Sequence, residues 1–258
     1  MIRNSGTGNI TLDPNASETI DGLTSYIMYP NEARLVQCDG TAFRSQIMNP
    51  YYATFTSSGT YTKPPGYKAH SGLLWGSGGG GAKGAGAPGG GGGACSWFIL
   101  PDSAVGSSET ITIGGTSTGS AGATPAAGTA STLGSLVRAN GAQATGSLNG
   151  GTAYFASNLA FGGAGSSVLT GGSSGPTLFG GGSGDQTSSG YGTVYGGAAG
   201  AKDGSTPLAT TFGGAGGTAG TTGVGGNGTA PGGGGGATNS GANGGDGARG
   251  ELRMWGIV

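Results

Sequence analysis

"GGGGAKGAGAPGGGGGACSW" (residues 78–97) is more than half glycine and then runs straight into cysteine, serine and an indole. Tracts of this kind usually act as flexible linkers, because glycine loses more backbone entropy on ordering than any other residue. The fold turns on whether this one is a tether or a built element. Its surroundings point to the second. Seven of the chain's 66 glycines fall in residues 1–75, so the rest of the 258 residues are roughly one-third glycine. Only 8% of residues are charged, and aromatic residues continue to the last line, whereas disordered chains combine high charge with few aromatics. Collagen is excluded, since it needs a strict every-third glycine with abundant proline and this chain has runs of adjacent glycines and only 11 prolines.

Composition also bounds function. A net charge of −1 with scattered basic residues gives no footprint for nucleic acid, which demands clustered Lys and Arg. No apolar run approaches the roughly 20 residues of a membrane span, and "MIRNSGTGNITLDP" lacks the apolar core of a signal peptide. The expectation is therefore no membrane insertion and assembly in the cytosol. Cys38 and Cys95 lack a CxxC spacing and read as free, buried thiols.

Around the glycines lie strand signals. "NITL", "SYIMY" and "ARLVQC" in residues 9–48 are separated by "DPNAS" and "YPNE", which supply turn residues. About forty residues of hairpin are too few to close a core, so self-association or a docked partner is expected. Further on, "TFTSSGTYT" alternates Phe55 and Tyr61 with small polar residues, and Pro64-Pro65-Gly66 turns the chain into "SGLLWG". Then come "ACSWFILPDS" (94–103), "SETITIGG" (108–115), "STLGSLVRANG" (131–141) and the closing "GELRMWGIV" (250–258).

The interior repeats. "LAFGGAG", "TLFGGGS", "TVYGGAAG" and "TTFGGAGG" each carry an aromatic before Gly-Gly, at Phe161, Phe179, Tyr195 and Phe212, with a fifth copy at "TAPGGGG" where Pro231 replaces the ring. A period near 17 at this glycine content cannot be a helical hairpin. Within the units a threefold phase runs through Gly214, Gly217, Gly220, Gly223 and Gly226, then Gly241, Gly244, Gly247 and Gly250. Three residues per turn is the period of a polyproline II helix, so these glycines share a face on which neighbouring helices can bond backbone to backbone. Ordering costs about 1–2 kcal/mol per residue; the four aromatics and the terminal strands are the candidate anchors. The fold class expected is all-β: a short N-terminal strand and hairpin module (1–50), then a glycine-rich domain (51–258). In the latter, 53–76, 94–141 and 250–258 form a β-base, and 145–247 form a bundle of polyproline II-type helices with connecting loops.

Catalytic chemistry finds little support. His70, the single histidine, reads as a surface residue; three copies meeting at an axis could bind a metal, a weaker reading. "GGGGAKGAG" lacks the G-K-[ST] ending of a phosphate loop. Asp185 and Asp203 read as exposed turn residues rather than a glycosidase pair. No cofactor, metal site or enzymatic activity is expected. Binding is better placed in the connections 166–177, 183–193 and 201–210, since loops on a rigid scaffold carry recognition and a Tyr, Ser, Gly and Asn composition suits it. Leu169, Tyr191, Lys202 and Leu208 are the candidate contacts.

Two segments resemble known proteins. "ITLDPNASETIDG" (10–22) with "ARLVQCDGTAF" (33–43) is similar to hairpin modules of bacteriophage tail fibres. The brackets "LLWGSGGGG" and "GARGELRMWG" around a glycine interior resemble the C-terminal glycine-rich domain of phage tail-fibre proteins, an architecture similar to the adhesins of T-even long tail fibres. The resemblance implies a virion protein that binds a host cell-surface receptor, protein or glycan, through loops between the repeats. Its partners would be two further copies in a homotrimer and other tail or baseplate proteins, and the first and last apolar segments would pair at the base. The alternative it leaves is a purely structural tail-tip or baseplate component.

Overall fold

The computed structural model describes residues 1–143, 153–155, 160–161, 178–182, 193–201, 207, 210–221, 223–239 and 242–258. Leu169, Tyr191, Lys202 and Leu208, with Asp185 and Asp203, lie outside these residues. The protein is all-β with antiparallel sheets, and the helical content among the described residues is one 3-10 turn at Asp102–Ala104. Among them no helix is long and apolar enough to cross a membrane.

Five short strands open the chain: β1 (Ile2–Arg3), β2 (Ile10–Leu12), β3 (Tyr26–Met28), β4 (Ala33–Cys38) and β5 (Phe43–Asn49). β1-β4-β5 form one sheet and β2-β3 another. This module does not close its core alone; its missing wall comes from the same chain. Tyr29 stacks on Tyr61 with ring centroids 5.5 Å apart, and Arg34 Nη2 donates to the Pro65 carbonyl at 2.7 Å.

The base follows: β6 (Tyr52–Phe55), β7 (Gly59–Thr62), β8 (Ala69–Trp75), β9 (Cys95–Pro101), β10 (Ser108–Thr112), β11 (Ser131–Leu133), β12 (Val137–Ala139), β13 (Ala153–Phe155), β14 (Ala160–Phe161) and β15 (Glu251–Ile257). Two five-stranded sheets, ordered β14-β9-β8-β15-β6 and β13-β12-β11-β10-β7, enclose one core. Alternation decides which residues enter it: Leu74, Phe98, Leu100, Leu252 and Met254 from the first sheet meet Tyr61, Ile111, Leu133 and Val137 from the second. The first and last apolar segments do pair, β8 with β15 from Glu251↔Trp75 to Ile257↔Ala69.

Beyond Trp75 the register continues into glycine. β8 pairs with β9 through Trp75↔Cys95, and past it Gly76, Gly79 and Ala82 donate to the carbonyls of Ala94, Gly91 and Pro88 at 2.9–3.0 Å, in the same antiparallel register. Toward β15, Gly78 donates to Ala248 and Gly81 to Gly245. Bonds to a given neighbour therefore recur every third residue, whereas in a strand they recur every second. A strand has neighbours on two sides; these segments, which we call struts, have them all round.

The strut 231–238 shows this best, every residue of it being buried. Pro231, Gly234 and Ala237 accept from Gly214, Gly217 and Gly220, while Gly234 and Ala237 donate to Ala198 and Ala201. Gly235 and Thr238 donate to Gly79 and Ala82; Gly232 and Gly235 accept from Gly93 and Gly90. The strut also bonds with 226–229 and 245–248. Such closeness excludes side chains: a Cβ on Gly234 would overlap the Gly90 carbonyl, and one on Gly235 that of Gly245. Each bond returns about 0.5–1.5 kcal/mol net, no more than ordering a residue costs, so no strut stands alone. Glycine also offers no side-chain pattern to fix a register. The register is inherited from β8, β9 and β15.

Candidate functional site

The repeat aromatics come together at the end of the first sheet. Successive struts run parallel: Tyr195 N–H donates to Leu178 C=O and Phe212 N–H to Val194 C=O, both at 2.9 Å. This register stacks Phe179 on Tyr195 at 4.9 Å and 13°, and Tyr195 on Phe212 at 4.8 Å and 11°. The spacing equals that of hydrogen-bonded neighbouring strands, about 4.7–4.9 Å, so the rings form a ladder with one rung per strut. Trp75 Nε1 donates to the Tyr195 carbonyl and Cys95 N–H to the Phe179 carbonyl at 2.8 Å, which pins the ladder to the base. Its flank is open, with Leu178 54% and Phe212 47% exposed. Phe161 lies in β14 opposite Trp97 of β9.

His70 departs from its sequence reading: it is fully buried. The reason is parity, because His70, Gly72 and Leu74 share the core face of β8. Nδ1 lies 3.0 Å from both the Tyr51 and Tyr61 hydroxyls, which are 2.9 Å apart. On the other side, Nε2 is 3.0 Å from Asp102 Oδ1, and Asp102 Oδ2 accepts from Lys63 Nζ at 2.9 Å. Asp102 can only accept, so Nε2 carries the proton and Nδ1 accepts from one tyrosine. Sequence reading missed this cluster, although the alternation "HSGLLW" carried the signal.

A hydroxyl–imidazole–carboxylate chain has the outline of a nucleophilic relay. Here burial raises both tyrosine hydroxyls well above their ordinary range, and no substrate can reach Tyr51, Tyr61 or His70, all buried to 1% exposure or less. The cluster is a latch, tying Tyr51 to the 3-10 turn through β8. Burial lowers the His70 pKa against the opposing pull of Asp102, so folded His70 stays neutral where the unfolded residue, near 6.5, already takes a proton. For Asp102, burial acts upward but hydrogen bonds from Lys63 and His70 outweigh it and hold the carboxyl low. Both shifts remove stability as pH falls. Since His70 is the only histidine, thermal unfolding should show Tm level between about pH 7 and 8 and declining below about 6.5, with the decline between about pH 6.5 and 5 flattened in His70→Gln.

The cysteine reading is corrected in part: both thiols are free, but Cys38 is exposed and only Cys95 buried, where burial pushes its pKa well up. Among the described residues no group of three or more His, Cys, Asp or Glu side chains is placed to hold a metal ion. No family model matches the chain, and no curated protein matches it significantly in sequence.

Proposed function

We propose that this chain is a receptor-binding protein of a bacteriophage tail fibre or tail tip, located in the virion and assembled in the host cytoplasm. The observation that carries the reading is the continuous register from β8, β9 and β15 into the glycine struts. It supports a stiff projection built of backbone, in which bonding at every third residue fits helices of the polyproline II type. Such a projection leaves side-chain variety to the connections between repeats, and recognition concentrates in loops held by a rigid scaffold. Residues 1–50 serve attachment and trimerisation, with tail or baseplate proteins as further partners. Leu169, Tyr191, Lys202 and Leu208 make the contacts with the host cell-surface receptor.

Exchanging residues 166–177 and 201–210 for those of a chain with a different host should change host range while particles still assemble. The adsorption rate on the original host should fall by about tenfold or more, the scale of losing a recognition hot spot. Unchanged adsorption by fully assembled particles would leave a purely structural role.

A further inference from the structure

Away from the glycine bundle, where the N-terminal module meets the base, lies a cleft of about 360 Å3. That is within the range of small-molecule sites, about 300–1,000 Å3. It is lined by β6, the outermost strand of its sheet, by residues of the segment Ser5–Asn9 and by the turn Tyr29–Asn31. None of the lining residues is acidic or basic, although Arg34 lies on β4 and Glu251 and Arg253 on β15. A charged ligand would find no counter-ion in it.

What the cleft offers is uncharged hydrogen bonding beside an aromatic ring. The side chains of Ser5, Thr7, Asn9, Asn31 and Thr54 are exposed, and none has a hydrogen-bond partner among the described residues. Thr54 adds its backbone: Tyr52 N–H points away from β15 to Pro30 C=O at 3.1 Å, and residues two apart in a strand turn their backbone groups the same way. Tyr52, also in the lining, is 43% exposed. It is braced on one side by Trp255, with centroids 6.4 Å apart and 13° between planes, which leaves the other side to stack on a ligand.

We infer that this cleft binds a neutral saccharide, a pyranose stacking on Tyr52 while its hydroxyls bond to the amide and hydroxyl groups that line it. A sugar ring joins an apolar C–H face to a rim of donors and acceptors, and Tyr supplies the matching combination of apolar body and fixed orientation. An added peptide strand fits less well, because strand addition draws its affinity from a run of main-chain bonds. Here Pro30 already takes the Tyr52 N–H, and Thr54 is left as the open residue of a four-residue edge. The inference is independent of the receptor reading, which the exchange of connections tests separately.

Saturation-transfer NMR on the full chain decides it, using lactose, maltose and chitobiose, with the capped peptide acetyl-Thr-Val-Thr-Val-amide as the strand control. At least one disaccharide should bind with Kd about 1 mM, a weak single-site value. Tyr52→Ala should weaken it by about tenfold and Asn9→Ala by about threefold, as expected for one stacked ring and one hydrogen-bonding side chain, with Tm unchanged in the second variant. The inference is overturned if no disaccharide binds the native chain, if both variants bind as the native chain does, or if only the peptide binds.

Discussion

Gly235→Ala should collapse the glycine bundle, costing about 3 kcal/mol or more in chemical denaturation, at the upper end for an overpacked interior. The added methyl would sit on the carbonyl of Gly245. Neither backbone can retreat, since Gly235 also bonds to Gly79 and Gly90, and Gly245 to Gly81 and Gly236. Overpacking against a side chain can be relieved by a rotamer change; against a carbonyl held in a lattice it cannot. Gly115→Ala is the control. A Cβ there meets nothing within 4 Å, so the change should stay within about 0.5 kcal/mol or stabilise slightly by restricting the unfolded chain. Equal effects at the two positions would mean that glycine serves flexibility in both.

Arg34→Ala should be the most damaging change in the N-terminal module, at about 3–5 kcal/mol, the cost of stranding a buried charge. Arg34 and Glu32 have 1% and 0% side-chain exposure and pair through Nε and Oε1 at 2.6 Å. The guanidinium also donates to Ser45 Oγ at 2.8 Å and to the Pro65 carbonyl at 2.7 Å, between the rings of Tyr26 and Tyr67. Its loss leaves Glu32 with uncharged partners, the Tyr26 hydroxyl and Tyr29 N–H among them, and cuts one of the ties between the module and the base. Differential scanning calorimetry should then show the module melting first. By contrast, Arg44→Ala breaks an ion pair whose side chains are 64% and 38% exposed, and it should cost less than about 1 kcal/mol.

Much of the base was legible because it obeys ordinary alternation. "SGLLWG", "ACSWFILPDS" and "GELRMWGIV" each place every second residue in one core, and their strands form where those patterns lie. β5 escaped because "FRSQIMN" alternates around polar residues, giving no apolar run to notice. His70 was misread for a related reason: taken as a lone polar residue after a turn it looks superficial, whereas its shared parity with Leu74 puts it inside. The Arg34–Glu32 pair lies two residues apart, a spacing that puts both on one face, but nothing local says that face is covered by Tyr67 from thirty residues on.

The glycine region divides differently. Its 17-residue period was plain, and it corresponds to parallel struts whose aromatics stack as Phe179, Tyr195 and Phe212. Which strut lies beside which could not be read, because glycine has no side chain to encode a partner and the neighbours are set by where β8, β9 and β15 aim the chain. The cleft beside Tyr52 was equally hidden. Its walls come from residues 5–9, 29–31 and 52–55, and each stretch alone reads as an ordinary turn or edge.

Glycine here builds a backbone lattice rather than a tether, and amide hydrogen exchange reads the difference residue by residue. The amides of Gly79, Gly90, Gly234, Gly235 and Ala237 each donate to another strut and should exchange on the order of a thousandfold more slowly than in an unstructured chain, as expected for groups released only by larger opening. They should lose that protection together in Gly235→Ala. Exchange of these amides at the unstructured rate in the native protein, while the amides of β8 and β15 stay protected, would rule out the lattice and return residues 78–93 to the role of a linker.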